Sequence, residues 1–120
     1  MVEELSDLLG ATKIIPSTIS EMKTPEIPAG PINTTSLGMV LGALIPENAI
    51  IVDESVTTGR EFFVQTAGSR PHTWLNNCGG SIGFGMPVAI GAAVASPDQK
   101  VIALEGDGSA MYTCLLYTSP

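Results

Sequence analysis

The spacing of hydrophobic and polar positions changes several times along this chain, and each change predicts a new element. Between residues 34 and 46, four apolar residues recur at helical spacing and predict a helix: Leu37, Val40, Leu41 and Leu44. The hydroxyl-bearing residues 34–36 are suited to cap its start, and Pro46 ends it. Residues 59–66 and 86–93 predict two further helices, and Pro87 fits the first turn of the second.

Two short apolar runs, residues 49–52 and 101–104, have the length of buried strands. Strands that alternate with helices predict an α/β fold, a parallel sheet with helices on both faces. Ligands of such sheets bind beyond the carboxyl ends of the strands. The polar clusters at residues 53–58 and 106–109 follow these strands directly. We therefore expect them to line a site, with the glycine-rich segment 76–85 as a third wall.

The first 33 residues contain four prolines among polar residues and show no sustained period. This pattern is typical of a linker or an extended arm from a preceding domain. We therefore place a domain boundary near Asn33.

Composition excludes several classes of function. The formal net charge is -7, and the five Lys and Arg residues form no basic stripe, which disfavours nucleic acid. The longest apolar run is interrupted by glycines and Pro87, so it predicts no membrane span. The two cysteines show no metal or disulfide spacing, and Cys78 is expected to be a small buried residue. Reduced, cytoplasmic surroundings fit best, or an organelle if the source is eukaryotic.

The motif Gly106-Asp107-Gly108-Ser109 allows two interpretations. An Asp after a strand is often an N-cap or turn residue with glycines beside it. Alternatively, Asp107 is a metal ligand, since Mg²⁺ binds carboxylate oxygens together with phosphates. Flanking glycines and a following helix N-terminus would then let phosphates approach the backbone.

The surrounding sequence favours the second interpretation, because residues 35–113 resemble the thiamine diphosphate enzymes, a family that includes acetolactate synthase and benzoylformate decarboxylase. Three blocks carry the resemblance, in the family's order: Ile51-Val52-Asp53-Glu54-Ser55, residues 79–92 (GGSIGFGMPVAIGA) and residues 101–109 (VIALEGDGS). The resemblance is to a truncated C-terminal cofactor-binding domain of an acetolactate synthase large subunit, covering residues 34–113.

The resemblance implies thiamine diphosphate and Mg²⁺ as cofactors, with Asp107 as the metal ligand. It implies cofactor contacts for Glu54, Ser55, Val56, Thr57, Gly80, Ile82, Gly106, Gly108 and Ser109. Ile82 would bend the cofactor so that its aminopyrimidine ring can remove the thiazolium C2 proton, and Gly80 would offer its carbonyl to that ring. Two alternatives stay open: Ile82 as an ordinary core residue, and Glu54 as a residue that only fixes its loop by hydrogen bonding.

The implied activity is decarboxylation of a 2-keto acid followed by carboligation, as in branched-chain amino acid biosynthesis, by a transferase or lyase. A simple decarboxylase resembling benzoylformate decarboxylase is the near alternative. The family further implies a homodimer or tetramer, and FAD is possible. A nucleotide-binding module is the alternative of another class, although the third glycine of its fingerprint is missing.

The resemblance also implies that the chain is incomplete. The activating Glu and a downstream metal-binding Asn of the family have no counterpart here, so we assign no catalytic residue and expect the chain alone to be inactive. Residues 114–120 depart from the family pattern abruptly and are interpreted as a non-native tail.

Overall fold

A computed structural model describes residues 2–11, 18, 21–114 and 118. Its helices and strands follow one another in a single order: α1 (Val2–Leu8), α2 (Thr34–Leu44), β1 (Ile50–Glu54), α3 (Phe62–Thr66), β2 (Thr73–Asn76), α4 (Gly85–Ala95), β3 (Val101–Glu105) and α5 (Asp107–Tyr112). The predicted alternation of helices and strands is confirmed.

The three strands form one parallel sheet in the order β2-β1-β3. β1 lies in the centre, with Ile50 opposite Thr73 on one side and Val101 on the other. Because β2 and β3 lie on opposite sides of β1, right-handed crossovers place α3 and α4 on opposite faces. This is the predicted α/β architecture, with helices on both faces of a parallel sheet.

The core surrounds the start of β1. Ile45, Ala49 and Ile51 are buried, and four partly buried side chains pack against them: Leu41, Trp74, Ile102 and Leu104. An unbroken apolar strand is expected at this position, since β1 is covered on both faces.

α2 begins and ends where the pattern predicts, but its cap is a different residue. Asn33, rather than a residue of 34–36, accepts a hydrogen bond from the Ser36 amide, and the Ser36 hydroxyl accepts one from the Asn33 amide. These reciprocal bonds form a capping box.

Several other features differ from the sequence-based expectation. α3 begins at Phe62 and not at residue 59. β1 and β3 extend further than predicted, to Glu54 and Glu105. β2 was not predicted, because only two of its four residues are apolar. The first 33 residues include the short helix α1, of which no residue is buried. The prediction that Cys78 is buried is wrong, since Cys78 is exposed on the glycine-rich loop.

Within the described residues, no helix combines the length and the apolar character needed to cross a bilayer.

Candidate functional site

The carboxyl ends of β1 and β3 meet at the edge of the sheet where the polar clusters were predicted. Glu54 and Glu105 are paired residues on adjacent strands. The Gly106 amide donates a 3.1 Å hydrogen bond to the Glu54 carbonyl. The chain leaves β1 towards β2 on one side, whereas β3 lies on the other. A reversal of strand order of this kind creates a crevice suited to a ligand.

A pocket of about 340 Å³ opens at the carboxyl ends of β1 and β2. This volume lies in the range of small-molecule sites. Of the residues predicted to contact a cofactor, it brings together Glu54, Val56 and Gly80. The remaining wall comes from residues not predicted as contacts: Asp53, Gly59, Arg60, Phe63, Asn76 and Asn77. Ser55, Thr57, Ile82 and residues 106–109 do not line this pocket.

The side chain of Glu54 is 3% exposed and turns towards the glycine-rich loop. Its Oε1 accepts a hydrogen bond of 2.5 Å from the Gly83 amide, and its Oε2 accepts one of 2.6 Å from the Gly85 amide. Gly85 is the first residue of α4, where amides lack helical partners. The carboxylate therefore satisfies two amides of this loop, as the hydrogen-bonding interpretation of Glu54 requires.

Glu105 provides a second carboxylate beside the first. A Cβ atom on Gly85 would lie 2.0 Å from Glu105 Oε1 and 2.9 Å from Glu54 Oε2, so only glycine leaves room here for both. The Glu105 oxygens are buried and accept no hydrogen bond from the described residues. Burial, then the charge of Glu54, raise the pKa of Glu105 to about 7. A protonated Glu105 can donate to Glu54, which two ionised carboxylates cannot do.

The loop after β1 has an internal hydrogen-bond network. Ser55 is buried, and both its amide and its hydroxyl donate to Asp53 Oδ1, the amide at 2.9 Å. Thr57 is exposed, so its hydroxyl can be reached from solvent. Val56 is 62% exposed and has φ of 49°, which is strained for a β-branched residue. The strain at the pocket rim is of the kind that ligand sites often contain.

The loop before α4 displays Ile82 to solvent. Ile82 is 55% exposed, so it is not the ordinary core residue that one interpretation expected. Gly80 (φ 69°) and Gly83 (φ 86°) on either side of it adopt left-handed conformations. Gly83 is also tightly packed, since a Cβ atom there would lie 2.4 Å from Thr113 Cγ2. A bulky apolar side chain is thus held out of the core on a constrained turn.

The structure places Asp107 at the first position of α5. The N-cap is Gly106, and no described side chain caps this helix, so the N-cap interpretation of Asp107 is not supported. Its carboxylate is exposed and makes no hydrogen bond within the described residues. Gly106 and Gly108 have neither a positive φ nor a close neighbour that would exclude a Cβ atom. Packing within the described chain therefore explains neither glycine.

A free carboxylate between open glycines fits a Mg²⁺ ion that also binds phosphate oxygens. Within the described residues, no three His, Cys, Asp or Glu side chains converge on a common point that could bind a metal.

Comparison with known proteins bears on this geometry. Residues 59–116 match the model of a family described as thiamine pyrophosphate enzyme, C-terminal TPP binding domain. A Mycobacterium tuberculosis protein named as an acetolactate synthase large subunit, IlvX, is 48% identical over 106 residues, which cover 86% of this chain. The chain belongs to the thiamine pyrophosphate enzyme family. The family resemblance inferred from the three sequence blocks is thereby confirmed.

Two decarboxylases are also similar to this chain. Benzoylformate decarboxylase of Pseudomonas aeruginosa is 39% identical over 83 residues, covering 69% of this chain and 16% of its own length. A solved structure of the thiamine diphosphate-dependent 4-hydroxybenzoylformate decarboxylase of Rhodococcus jostii RHA1 superposes with a TM-score of 0.60 at 37% identity. It covers 82% of this chain and 18% of that protein. The chain spans 21% of the Mycobacterium relative.

Sequence reasoning missed Glu105 and Arg60 at this edge. Glu105 is a charged residue at the end of an apolar run, and this position could have indicated that it lies at the site. Arg60 lies in a segment for which only a helix was predicted, and nothing in the surrounding sequence indicates that it lines a pocket. Among the described residues that line the pocket, Arg60 is the only cation.

Proposed function

We propose that this chain is part of a thiamine diphosphate- and Mg²⁺-dependent enzyme that acts on 2-keto acids, with acetolactate synthase-like decarboxylation and carboligation. Residues 34–113 would be part of its cofactor-binding domain, residues 1–33 an arm from a preceding domain, and residues 114–120 a non-native tail. One observation carries the proposal: the exposed carboxylate of Asp107, which has no partner among the described residues and lies between two glycines that their packing does not require. The family match supports the cofactor.

In this proposal Asp107 binds Mg²⁺, and the metal binds the diphosphate. Gly106 and Gly108 leave space for phosphate oxygens to approach the backbone. The hydroxyl of Ser109, in the same motif, would add a contact. Val56 and Thr57 would contact the diphosphate through backbone amides and a hydroxyl. The position of Val56 in the pocket wall and the exposure of Thr57 in the same loop support this assignment.

The organic rings of the cofactor would lie against Gly80 and Ile82. When bound, the cofactor supplies a carbon nucleophile for the keto carbonyl and accepts the electron pair released with carbon dioxide. The exposed Ile82 side chain would pack against the rings, which requires an apolar group outside the core. The carboxylate of Glu54 and the hydroxyl of Ser55 already bond within the protein, so their proposed role is to shape the site.

Binding of the cofactor tests the proposal. Titration calorimetry on the full-length enzyme should show thiamine diphosphate binding that requires Mg²⁺, and Asp107→Ala should abolish it or weaken it strongly. Asp98→Ala is a matched control, because Asp98 is an exposed carboxylate in a turn before β3, at the opposite end of the sheet. Unchanged binding in Asp107→Ala would remove Asp107 from the metal role. Binding of NAD instead would favour the nucleotide-binding module.

A decarboxylase without carboligation is the second candidate, and the similarity to the Rhodococcus and Pseudomonas decarboxylases favours it. Product analysis separates the two. Two pyruvate molecules would give acetolactate and carbon dioxide in a synthase, whereas benzoylformate would give benzaldehyde and carbon dioxide in a decarboxylase. Benzaldehyde formation without any carboligation product would reject the synthase.

The assembly and location of the enzyme are part of the same proposal. We propose a homodimer or tetramer whose activating Glu comes from another part of the enzyme, in the cytoplasm or a eukaryotic organelle. The 120-residue chain alone would then be inactive. Sedimentation of the full-length enzyme as a monomer would contradict the assembly.

A further inference from the structure

Glu54 bonds to both of the other sequence blocks that form the candidate site. Its backbone carbonyl accepts from Gly106, in the loop that precedes Asp107. Its side chain accepts from Gly83 and Gly85, on either side of the turn that follows Ile82. A single residue at the end of the central strand therefore connects the metal-binding loop with the loop that displays the apolar side chain.

The hydrogen bonds of the side chain are of a strong kind. An ionised carboxylate that accepts from backbone amides forms charge-assisted bonds, which exceed neutral ones in strength. Glu54 is 3% exposed, so water competes little for its oxygens. The carboxylate also lies at the N-terminus of the 11-residue helix α4, whose partial positive charge favours an anion. The two hydrogen bonds that the Glu54 carboxylate accepts from the Gly83 and Gly85 amides, here called the clamp, are therefore strong. The helix N-terminus partly balances the charge of the carboxylate.

Other contacts of the same loop are weaker. Ser81 and Asn77 exchange hydrogen bonds of 2.9 Å at an exposed position. The Ile82 amide has no hydrogen-bond partner within the described residues. Gly83 packs against Thr113, but that contact is apolar. The orientation of the Ile82 side chain is thus set mainly by the hydrogen bonds that the Gly83 and Gly85 amides donate to Glu54.

We infer that Glu54 is a positioning residue: its buried carboxylate fixes the turn at Gly83 and Gly85, and so holds the Ile82 side chain where it bends the cofactor. This inference rests on the proposed function for the role of Ile82. It assigns to Glu54 no contact with the cofactor. A side chain that acts on a bound ring must be fixed by its supporting contacts, because small displacements cost much of the rate.

The first test measures the clamp without any cofactor. In the wild-type full-length enzyme, site-resolved hydrogen exchange should show slow Gly83 and Gly85 amides beside a fast Ile82 amide. Glu54→Gln, which keeps the shape but loses the charge, should accelerate the two glycine amides by about tenfold or more. The β1 amides of Ile51 and Val52 should not change. Glu47→Gln is the matched control, since Glu47 is exposed before the same strand.

The second test measures the consequence for the cofactor. Deuterium exchange at C2 of bound thiamine diphosphate reports how well its rings are arranged. Glu54→Gln should slow this exchange and lower kcat by about tenfold, with KM for the keto acid changed little, because the residue does not touch substrate. Glu54→Asp retains the charge on a shorter side chain, and it should restore part of both values. A merely structural role would not produce this pattern.

Each outcome decides the inference. Glycine amides that exchange as fast in the wild type as the Ile82 amide, or at unchanged rates in Glu54→Gln, would overturn it. Faster amide exchange with unaltered C2 exchange and kcat would also overturn it, because the clamp would then be only structural. If Glu54→Gln also accelerates exchange of the β1 amides, two other measurements decide the inference. These are the exchange rates of the Gly83 and Gly85 amides relative to the Ile82 amide in the wild type, and the partial recovery of C2 exchange and kcat in Glu54→Asp. If the wild type binds no thiamine diphosphate, the proposed function fails, and the amide rates still decide whether the clamp exists.

Discussion

Gly85 and Glu105 approach each other so closely that a Cβ atom on Gly85 would lie 2.0 Å from Glu105 Oε1. Gly85→Ala should therefore force the carboxylate to rotate away from its position beside Glu54. We expect a loss of about 1–3 kcal/mol in the free energy of unfolding, measured by urea denaturation.

Gly91→Ala is the control for that experiment. Gly91 is exposed in the same helix and has nothing within 4 Å of its Cβ position, so alanine there should stabilise by about 0.5–1 kcal/mol. In a Glu105→Ala background, Gly85→Ala should cost less than in the wild type. Equal costs in both backgrounds would show that the two residues do not interact.

Glu105 predicts a specific pH dependence of stability. Its folded pKa of about 7 lies above the unfolded value of 4.5, so between these values the unfolded state releases a proton that the folded state retains. Stability should therefore fall as pH rises from about 4.5 to about 7, and level off above that. Glu105→Gln should remove this component, so the variant should be the more stable protein at pH above 7.

Thermal unfolding of both proteins, recorded across this range in the presence of a chelator, provides the measurement. Only the difference between the two curves counts, because it contains Glu105 and its coupling to Glu54 and Asp53, whereas carboxyl groups elsewhere in the protein cancel. Parallel curves would mean that Glu105 titrates like an ordinary exposed carboxyl group.

Asp107 should matter for binding and not for folding. Its carboxylate is exposed and unpartnered in the described structure, so Asp107→Ala should change the free energy of unfolding by no more than about 0.5 kcal/mol without cofactor. In the proposed function Mg²⁺ with thiamine diphosphate would stabilise the wild type, and the same variant should lose that stabilisation. A large loss of stability without cofactor would indicate a structural role instead.

Val56 should be replaceable with a gain in stability. Its φ of 49° is unfavourable for a β-branched side chain, whereas Asn tolerates this conformation. Val56→Asn should therefore stabilise by about 1 kcal/mol, as read from the denaturation midpoint. Val56→Thr retains the branch at Cβ and serves as the control, which should show no such gain.

The sequence predicted those helices and strands whose own residues show a clear hydrophobic pattern. α2 shows four apolar residues at helical spacing, and β1 and β3 are unbroken apolar runs. β2 lacks such a pattern, and its strand conformation depends on pairing with Ile50–Asp53 of β1. Local spacing cannot reveal a strand that a neighbour 23 residues earlier stabilises.

The candidate site was predictable to a similar degree. Residues such as Asp107 and Val56 were found because their blocks resemble a family, and the strand ends indicated where they lie. The bonds of Glu54 to amides 29 and 31 residues away depend on how α4 packs on β1 and β3, which no local pattern encodes. The unusual pKa of Glu105 has the same origin, because only the β1–β3 register places it beside Glu54.

The carboxylates at this edge of the sheet have a consequence for the order in which ligands arrive. Asp53, Glu54 and Asp107 lie at or just beyond the carboxyl ends of the paired strands β1 and β3, and Glu54 already occupies the N-terminus of α4. A diphosphate approaching alone meets a repulsive field that Arg60 offsets only in part. If the proposed cofactors are correct, the cation and the diphosphate are thermodynamically linked, and each raises the affinity of the other by the same factor.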